Sequence, residues 1–174
     1  MTARRAPVPL PDPPLADDLV QLRPWQDADA PCLVRAWGDP EVTRWTGVPT
    51  DTHLAAARRW ISGDAHRRAL GVALDLVIDV DGAVAGEVGL ADIDVVAGTA
   101  EIGWWVAPEH RGAGLAARAG RLLASWAVGE LCVATVVARC HPDNPASGAA
   151  ARAAGFAPAV PDGPDGPSHI WRFT

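Results

Sequence analysis

An α/β (α+β) fold is predicted, with one mixed, mostly antiparallel central sheet of about 6–7 strands and helices on both faces. Three observations predict it. Strand-like runs over 72–80 and 83–90 flank Asp81-Gly82, the pair that type I′ hairpin turns favour. A third strand over 99–106 runs into a glycine-rich turn and then a helical pattern. Further helical and strand patterns bracket this centre, giving the order β, α, α, three mainly antiparallel strands, a central helix, a strand, a helix and a closing hairpin. No internal repeat is visible.

Each element has a local reason. Residues 1–17 are Pro-rich and polar, and are expected to form a flexible arm ahead of one domain over 18–174. Leu19 to Arg23 alternates as a short strand stopped by Pro24. Asp27 can cap a helix to Trp37, which Gly38-Asp39-Pro40 breaks, and Pro40 suits the first turn of a short second helix. Thr50 or Asp51 opens a longer amphipathic helix through Leu54, Ala57, Trp60 and Ile61 towards Arg68. After the hairpin, the strand over 99–106 ends at Ala107-Pro108, and a helix follows from about Ala113 to Val128. Cys132 to Cys140 is a β-branched strand, and Pro142-Asp143-Asn144 turns into a helix that Gly155 ends. Phe156 to Val160 and Ser168 to Phe173 pair around a Pro-, Asp- and Gly-rich loop.

At 174 residues, 49% hydrophobic and 21% charged, the chain has the composition of an ordinary globular domain. Its N-terminus lacks the apolar run of a secretory signal, and no apolar stretch approaches the roughly 20 residues of a membrane span. Three widely spaced cysteines (Cys32, Cys132, Cys140) read as reduced thiols, and Cys140-His141 lacks a second ligand pair at zinc spacing. A cytoplasmic protein without a metal is therefore expected. The net charge of −6 argues against a nucleic-acid partner and is compatible with a cationic substrate. Every Lys+Arg residue is Arg, and tyrosine is absent.

The chemistry concentrates at Arg111-Gly112-Ala113-Gly114-Leu115-Ala116. A strand, a glycine turn and a helix start bring unpaired N–H groups and the helix dipole to one spot, which suits an anion. Glycine lets the backbone approach phosphates closely, and Arg111 adds a formal charge at the mouth of the turn. Without a lysine this is not a nucleotide P-loop, and three hairpin-like strands ahead of it do not match a dinucleotide fingerprint.

The six residues resemble the Q/R-x-x-G-x-G/A signature of the GNAT superfamily of N-acetyltransferases. They follow Trp105-Val106-Ala107-Pro108, as that family requires. Leu22-Arg23-Pro24, Asp39-Pro40-Glu41-Val42, Gly86-Glu87-Val88-Gly89-Leu90 and Ala100-Glu101-Ile102-Gly103-Trp104-Trp105 are similar to the RimJ/RimL branch. So are Asn144-Pro145-Ala146-Ser147 and Gly155-Phe156. The resemblance spans about residues 19–174 and implies acetyl-coenzyme A as co-substrate. It also implies that backbone around Val106 and the N–H groups of Arg111, Gly112, Ala113, Gly114, Leu115 and Ala116 hold pantetheine and pyrophosphate. Asn144 would bind further along the cofactor, and the strands over 99–106 and 132–140 would splay to admit the thioester.

Acetyl transfer to an amine needs a neutral amine, a donor to the oxyanion and a proton for the leaving thiolate. Glu87 and Glu101 stand on adjacent predicted strands, as candidate bases or anchors for a cation, although a salt bridge or a solvated strand face also explains each. Asp92 and Asp94 are weaker anchors. Many family members place Tyr four residues before the Gly of the Gly-Phe pair; here that position is Ala151. The RimL-type alternative, a serine three residues after the cofactor-binding Asn, is Ser147, read as a hydrogen-bond donor to the thiolate and a neighbour of the cofactor. A helix-start hydrogen bond to backbone is the plainer account of it. His110 and His141 read as turn residues. Trp25, Trp37, Trp60 and Trp126 are expected in the core, whereas Trp45 sits where the branch puts its substrate-side loop, and Trp104 or Trp105 could join it.

The resemblance implies an N-acetyltransferase acting by direct attack in a ternary complex on a protein or peptide N-terminus or a small amine. An aminoglycoside or other small-molecule acceptor and a non-catalytic acyl-coenzyme-A sensor are the alternatives. A monomer or a homodimer is compatible with the pattern.

Overall fold

A computed structural model describes residues 6–159 and 169–174. Its sheet contains β1 (Gln21–Pro24), β2 (Ala73–Val80), β3 (Ala83–Asp94), β4 (Thr99–Val106), β5 (Thr135–Cys140), β6 (Ala157–Ala159) and β7 (His169–Phe173). Its helices are α1 (Ala30–Trp37), α2 (Pro40–Trp45), α3 (Leu54–Ser62), α4 (Asp64–Ala69), α5 (Leu115–Glu130) and α6 (Pro145–Ala154). The strand order is β1-β2-β3-β4-β5-β7-β6. Among the described residues only β4 and β5 run parallel, and the other pairs are antiparallel. This is the mixed, mostly antiparallel seven-stranded sheet that the element order predicts.

Period-2 alternation divides the core between two faces of the sheet. Leu76, Ile78, Val88, Leu90 and Ile102 meet Leu115, Leu123 and Ala127 of α5 and Ala151 of α6. On the opposite face Val77 and Trp105 meet Trp25, Leu33, Trp37 and Ala57, so α1 and α3 cover that side. The apolar residues on both faces of β2 explain why its alternation is incomplete in the sequence. No helix of the described residues is long and apolar enough to cross a membrane.

Several expected elements differ. The single helix towards Arg68 is two, α3 and α4, divided at Gly63. Arg67 reaches back across the break, donating from Nη1 to the Trp60 carbonyl at 3.0 Å and so satisfying a carbonyl near the end of α3. The strand expected from Cys132 starts at Thr135, because Cys132 adopts φ 56° and the Ala134 and Thr135 N–H groups donate to Gly98. Residues 6–17, expected as a flexible arm, lie against the domain instead. Val8 is buried and its N–H donates to the Arg68 carbonyl at 2.9 Å, while Leu22 N–H donates to Leu15 at 2.7 Å. Asp17 and Asp18 hold Arg118 of α5 at 2.8 and 2.6 Å. One apolar side chain and one arginine thus tie down a stretch that looks polar in composition. The loop expected between the last two strands falls on residues 160–168, and Met1 to Arg5 begin the arm; both lie outside the described residues.

Candidate active site

The parallel ladder between β4 and β5 pairs Thr99 with Thr135 and continues to Ile102 with Ala138. It stops there, although β4 runs on to Val106 and β5 to Cys140. The expected splay is therefore present, and a cavity of about 470 Å³ opens over it, lined by Ile102, Gly103, Ala138, Cys140, Asn144 and Ser147. The same cavity continues over β3 and β2 to Glu87, Asp75, Trp105, Trp60 and Trp37, with Trp45 and Val48 from the loop side.

Next to the splay, the glycine turn delivers the start of α5. Gly112 and Gly114 adopt φ 80° and 74°, the left-handed region that L side chains avoid. A Cβ at either position would meet no atom within 4 Å, so backbone conformation rather than crowding selects glycine. Gly114 is the N-cap of a 16-residue helix and brings no side-chain acceptor, which leaves the first-turn N–H groups of α5 to an external anion. Arg111 does not place a free charge at this mouth. Its Nε donates to the Val106 carbonyl at 3.0 Å, its Nη2 contacts Asp39 at 3.1 Å, and its own N–H is directed to Pro108. Asp39 is the N-cap of α2, accepting from Glu41 and Val42 N–H. Despite the opposing effect of burial, the Val42 N–H and the Arg111 guanidinium hold the Asp39 carboxyl below its ordinary range. Arg111 thus ties the glycine turn to α2.

Asn144 is the N-cap of α6; its Oδ1 accepts from Ser147 N–H at 3.1 Å, which leaves the amide NH₂ end as a donor. The Ser147 hydroxyl does not turn back to the helix start. It donates to Cys140 Sγ at 3.3 Å inside the cavity. Burial pushes the Cys140 thiol up, so this sulfur stays protonated at neutral pH.

The two glutamates differ sharply. Glu101 pairs with Arg139 of β5 at 2.8 Å, with 37% of its side chain exposed. Glu87 is partly accessible, into the cavity that it lines. Trp25 Nε1 donates to Glu87 Oε2 at 2.8 Å and Trp105 Nε1 to Oε1 at 3.2 Å. Loss of hydration and the neighbouring Asp75 carboxylate push the Glu87 carboxyl up to about 8, and the two indole donors only partly oppose them. Asp75, bound to Arg67 at 3.1 and 3.2 Å, is also raised, chiefly by burial.

Strand alternation separates Trp104 from Trp105. Trp105 joins Trp25 in a stack with ring centroids 6.3 Å apart, on the α1–α3 face. Trp104 instead packs against Phe156, at 6.4 Å, and against Gly120 of α5. Only Trp105 therefore stands on the face that carries Glu87. Trp45 closes α2, donates to Glu41 at 3.0 Å and lies 5.2 Å from the His141 ring. His141 follows the last residue of β5 and adjoins the Trp45 side of the cavity. Asp94 caps its own turn through Val96 and Ala97 N–H and is not among the cavity residues, nor is Asp92.

Asp75, Arg67, Trp37, Trp60, Gly89 and Gly103 join the cavity without having been singled out as site residues. Asp75 had a signal in the sequence, an acidic residue between Leu74 and Leu76, but the pairing with Arg67 crosses a helix–strand gap that no local pattern reveals. Among the described residues, no group of three or more His, Cys, Asp or Glu side chains is placed to hold a metal ion.

The chain matches the acetyltransferase (GNAT) domain family over residues 20–157. It is 28% identical over 135 residues to the uncharacterized N-acetyltransferase p20 of Bacillus licheniformis, covering 76% of each chain. Its fold is similar to that of the microcin C7 self-immunity acetyltransferase MccE in complex with acetyl-CoA and AMP, with TM-score 0.76, 22% identity and coverage of 90% and 93%. It is also similar to RimL, the ribosomal L7/L12 α-N-protein acetyltransferase, in complex with coenzyme A, with TM-score 0.74, 20% identity and coverage of 90% and 92%.

Proposed function

Because the chain belongs to the GNAT family of acetyltransferases, we propose that it transfers the acetyl group of acetyl-coenzyme A to a primary amine by direct attack in a ternary complex. The observation that carries this reading is the splay of β4 from β5 beyond Ile102 and Ala138, open to the cavity and adjoining the uncapped start of α5. Coenzyme A fits these residues. First-turn N–H groups of α5 suit its pyrophosphate, the Val106 backbone suits its pantetheine, and the Asn144 amide is a donor beside its path. Bound there, the coenzyme supplies an acetyl group activated as a thioester.

The residues of the chain supply proton handling. Glu101 is engaged by Arg139, whereas Glu87 lies in the cavity with a pKa pushed to about 8. A base with a pKa near that of its substrate exchanges protons at little cost, and an α-amine lies near 8. Glu87 is therefore the assigned base, and Glu101 the carboxylate that positions Arg139 and adds negative potential. With Ala151 where other family members have Tyr, Ser147 is the donor to the leaving thiolate. It already donates to one sulfur, Cys140 Sγ. Nucleophile, base and donor belong to one cavity, so no covalent acyl-enzyme is needed. This chemistry, with three free cysteines among the described residues, fits a cytoplasmic setting.

RimL acts on a protein α-amine, and the same acceptor chemistry is open to this chain. MccE is an immunity enzyme, which keeps a small-molecule acceptor as the second reading. Thiol release from acetyl-coenzyme A in the presence of an amine panel tests the proposal. The expected outcome is amine-dependent release with equimolar acetylated product. Tight cofactor binding with no turnover on any amine would instead identify an acyl-coenzyme-A sensor.

A further inference from the structure

Across the centre of the sheet, Gly89 of β3 and Gly103 of β4 are register partners. Their face is the one that carries Asp75, Glu87, Glu101 and Trp105, because the same register joins Glu87 to Trp105 and Asp75 to Gly89. Two adjacent residues without side chains leave a dip in an otherwise covered sheet. The two glycines differ in what they protect. A Cβ at Gly89 would come within 2.8 Å of Asp75 Oδ1, so this glycine makes room for the carboxylate. At Gly103 a Cβ would meet nothing within 4 Å, and the residue is exposed in the cavity.

The surroundings of this dip have one chemical character. Trp60 borders the cavity, Trp105 and Trp37 add a small part of their surface with 6% and 2% exposed, and Trp25 packs behind, stacked on Trp105 and edge-on to Trp60 at 6.1 Å. Asp75, Glu87 and Glu101 supply three carboxyl groups. Among the described residues, the two cations that line the cavity, Arg67 and Arg139, are already bound to Asp75 and Glu101, and Arg67 also lies 4.5 Å over the Trp60 ring. The Glu87 carboxylate attracts a cation when it is ionised, near pH 8 and above, and the indole surface that reaches the cavity favours an apolar body. The whole cavity, about 470 Å³, must hold the acetyl-bearing end of the donor as well as the acceptor. Of the three carboxyls only Glu87 is not paired to an arginine of the described residues, so a single ammonium on a compact body matches the lining, whereas a polycation would bring its further ammonium groups against the Arg67 and Arg139 guanidinium groups.

We propose that the hollow over Gly89 and Gly103 receives the acceptor as a primary ammonium on a compact aromatic or branched apolar body, and that Gly103 sets the size of body admitted. This rests on the acetyl-transfer reading above. The ammonium lies towards Glu87, and the body occupies the space over Gly103 against the indoles. The same chemistry is offered by a free monoamine or by the first residue of a peptide.

The test uses the full-length protein and reads thiol release from acetyl-coenzyme A. The acceptors are ethylamine, 2-phenylethylamine, tripeptides starting with Phe or Ser, and kanamycin. For the native chain, kcat/KM is expected to be at least roughly tenfold higher for 2-phenylethylamine or the Phe peptide than for the Ser peptide or kanamycin. Which of the two is preferred separates a free amine from a peptide terminus. Gly103→Ala and Gly103→Val are then expected to raise KM for the larger acceptor in that order, by about tenfold or more for valine. The loss on ethylamine should be several-fold smaller than on the larger acceptor, and the thermal midpoint should stay within about a few degrees of native. A preference for the Ser peptide or kanamycin overturns the proposal. So does an equal loss on small and large acceptors, because a merely structural glycine would produce that result. Absence of thiol release with every amine overturns the acetyl-transfer reading itself, and this proposal with it.

Discussion

Glu87 shows how a single residue draws its chemistry from its neighbours. On sequence alone it is one of two carboxylates in apolar strands; in the fold two indole N–H groups hold it, and burial with Asp75 raises it to about 8. Its carboxylate form is thus scarce below pH 7. For an alkylamine acceptor, whose own amine titrates at about 10, we expect kcat/KM to show a separate limb near 8, and Glu87→Gln to lose that limb along with roughly 10²-fold or more of the rate. A pH–rate profile that keeps the limb in the variant removes Glu87 from the proton path. Stability carries a second signature. Because the folded pKa exceeds the ordinary glutamate value, the native state binds more protons between about 4.5 and 8, and stability falls as pH rises through that window. Glu87→Gln should flatten that fall, so that the variant gains on the native protein between pH 6 and pH 9 in thermal unfolding. Ser147 makes a complementary case. Its hydroxyl donates to sulfur, and Ser147→Ala should lower kcat by about tenfold or more with little change in acetyl-coenzyme A affinity. An unchanged kcat would return Ser147 to a packing role. Neither indole partner of Glu87 was legible, since Trp25 and Trp105 are 62 and 18 positions away from it.

At the level of elements, patterns carried by neighbouring residues were legible and those made by distant ones were not. Asp81-Gly82 marked the β2–β3 hairpin, and Gly155 marked the end of α6, because each is a backbone requirement written in one or two residues. The glycine turn before α5 was legible for the same reason. The division of α3 from α4 was missed because it depends on Arg67 reaching Trp60 and Asp75, contacts that periodicity does not contain. Arg111 was placed by motif and then found anchoring α2. What remains for an anion at this turn is the helix start itself, so the prediction belongs to the element. Gly114→Glu brings a negative charge and a left-handed strain of about 1–2 kcal/mol to the N-cap of α5. Acetyl-coenzyme A affinity should fall by about a hundredfold or more in calorimetric titration, while the sheet remains folded by circular dichroism. Native affinity in that variant would remove the α5 start as the pyrophosphate site.

On the scale of the whole molecule, the order of elements located the site. Among the described residues, six ladders leave β4 and β5 as the one parallel junction, and that junction is where pairing ends early. The least legible feature at this scale was the N-terminal segment. Its prolines and acids gave no periodicity, yet Val8 is buried against the domain, Leu15 and Ala16 pair beside β1, and Asp17 and Asp18 reach α5. β1 is an edge strand of only four residues, so this segment shields backbone that would otherwise be unpaired. Burial of one valine contributes about 1.5–3 kcal/mol, and the exposed Asp17 and Asp18 pairs with Arg118 add little. Removing residues 1–17 should therefore lower the thermal midpoint by about 4–10 °C for a chain of this size. Val8→Ala in the full-length protein should reproduce a substantial part of that loss, and Asp18→Ala almost none. Scanning calorimetry on the three variants decides the matter: an unchanged midpoint after truncation would mean that the docked segment contributes nothing net, its ordering cost cancelling its contacts.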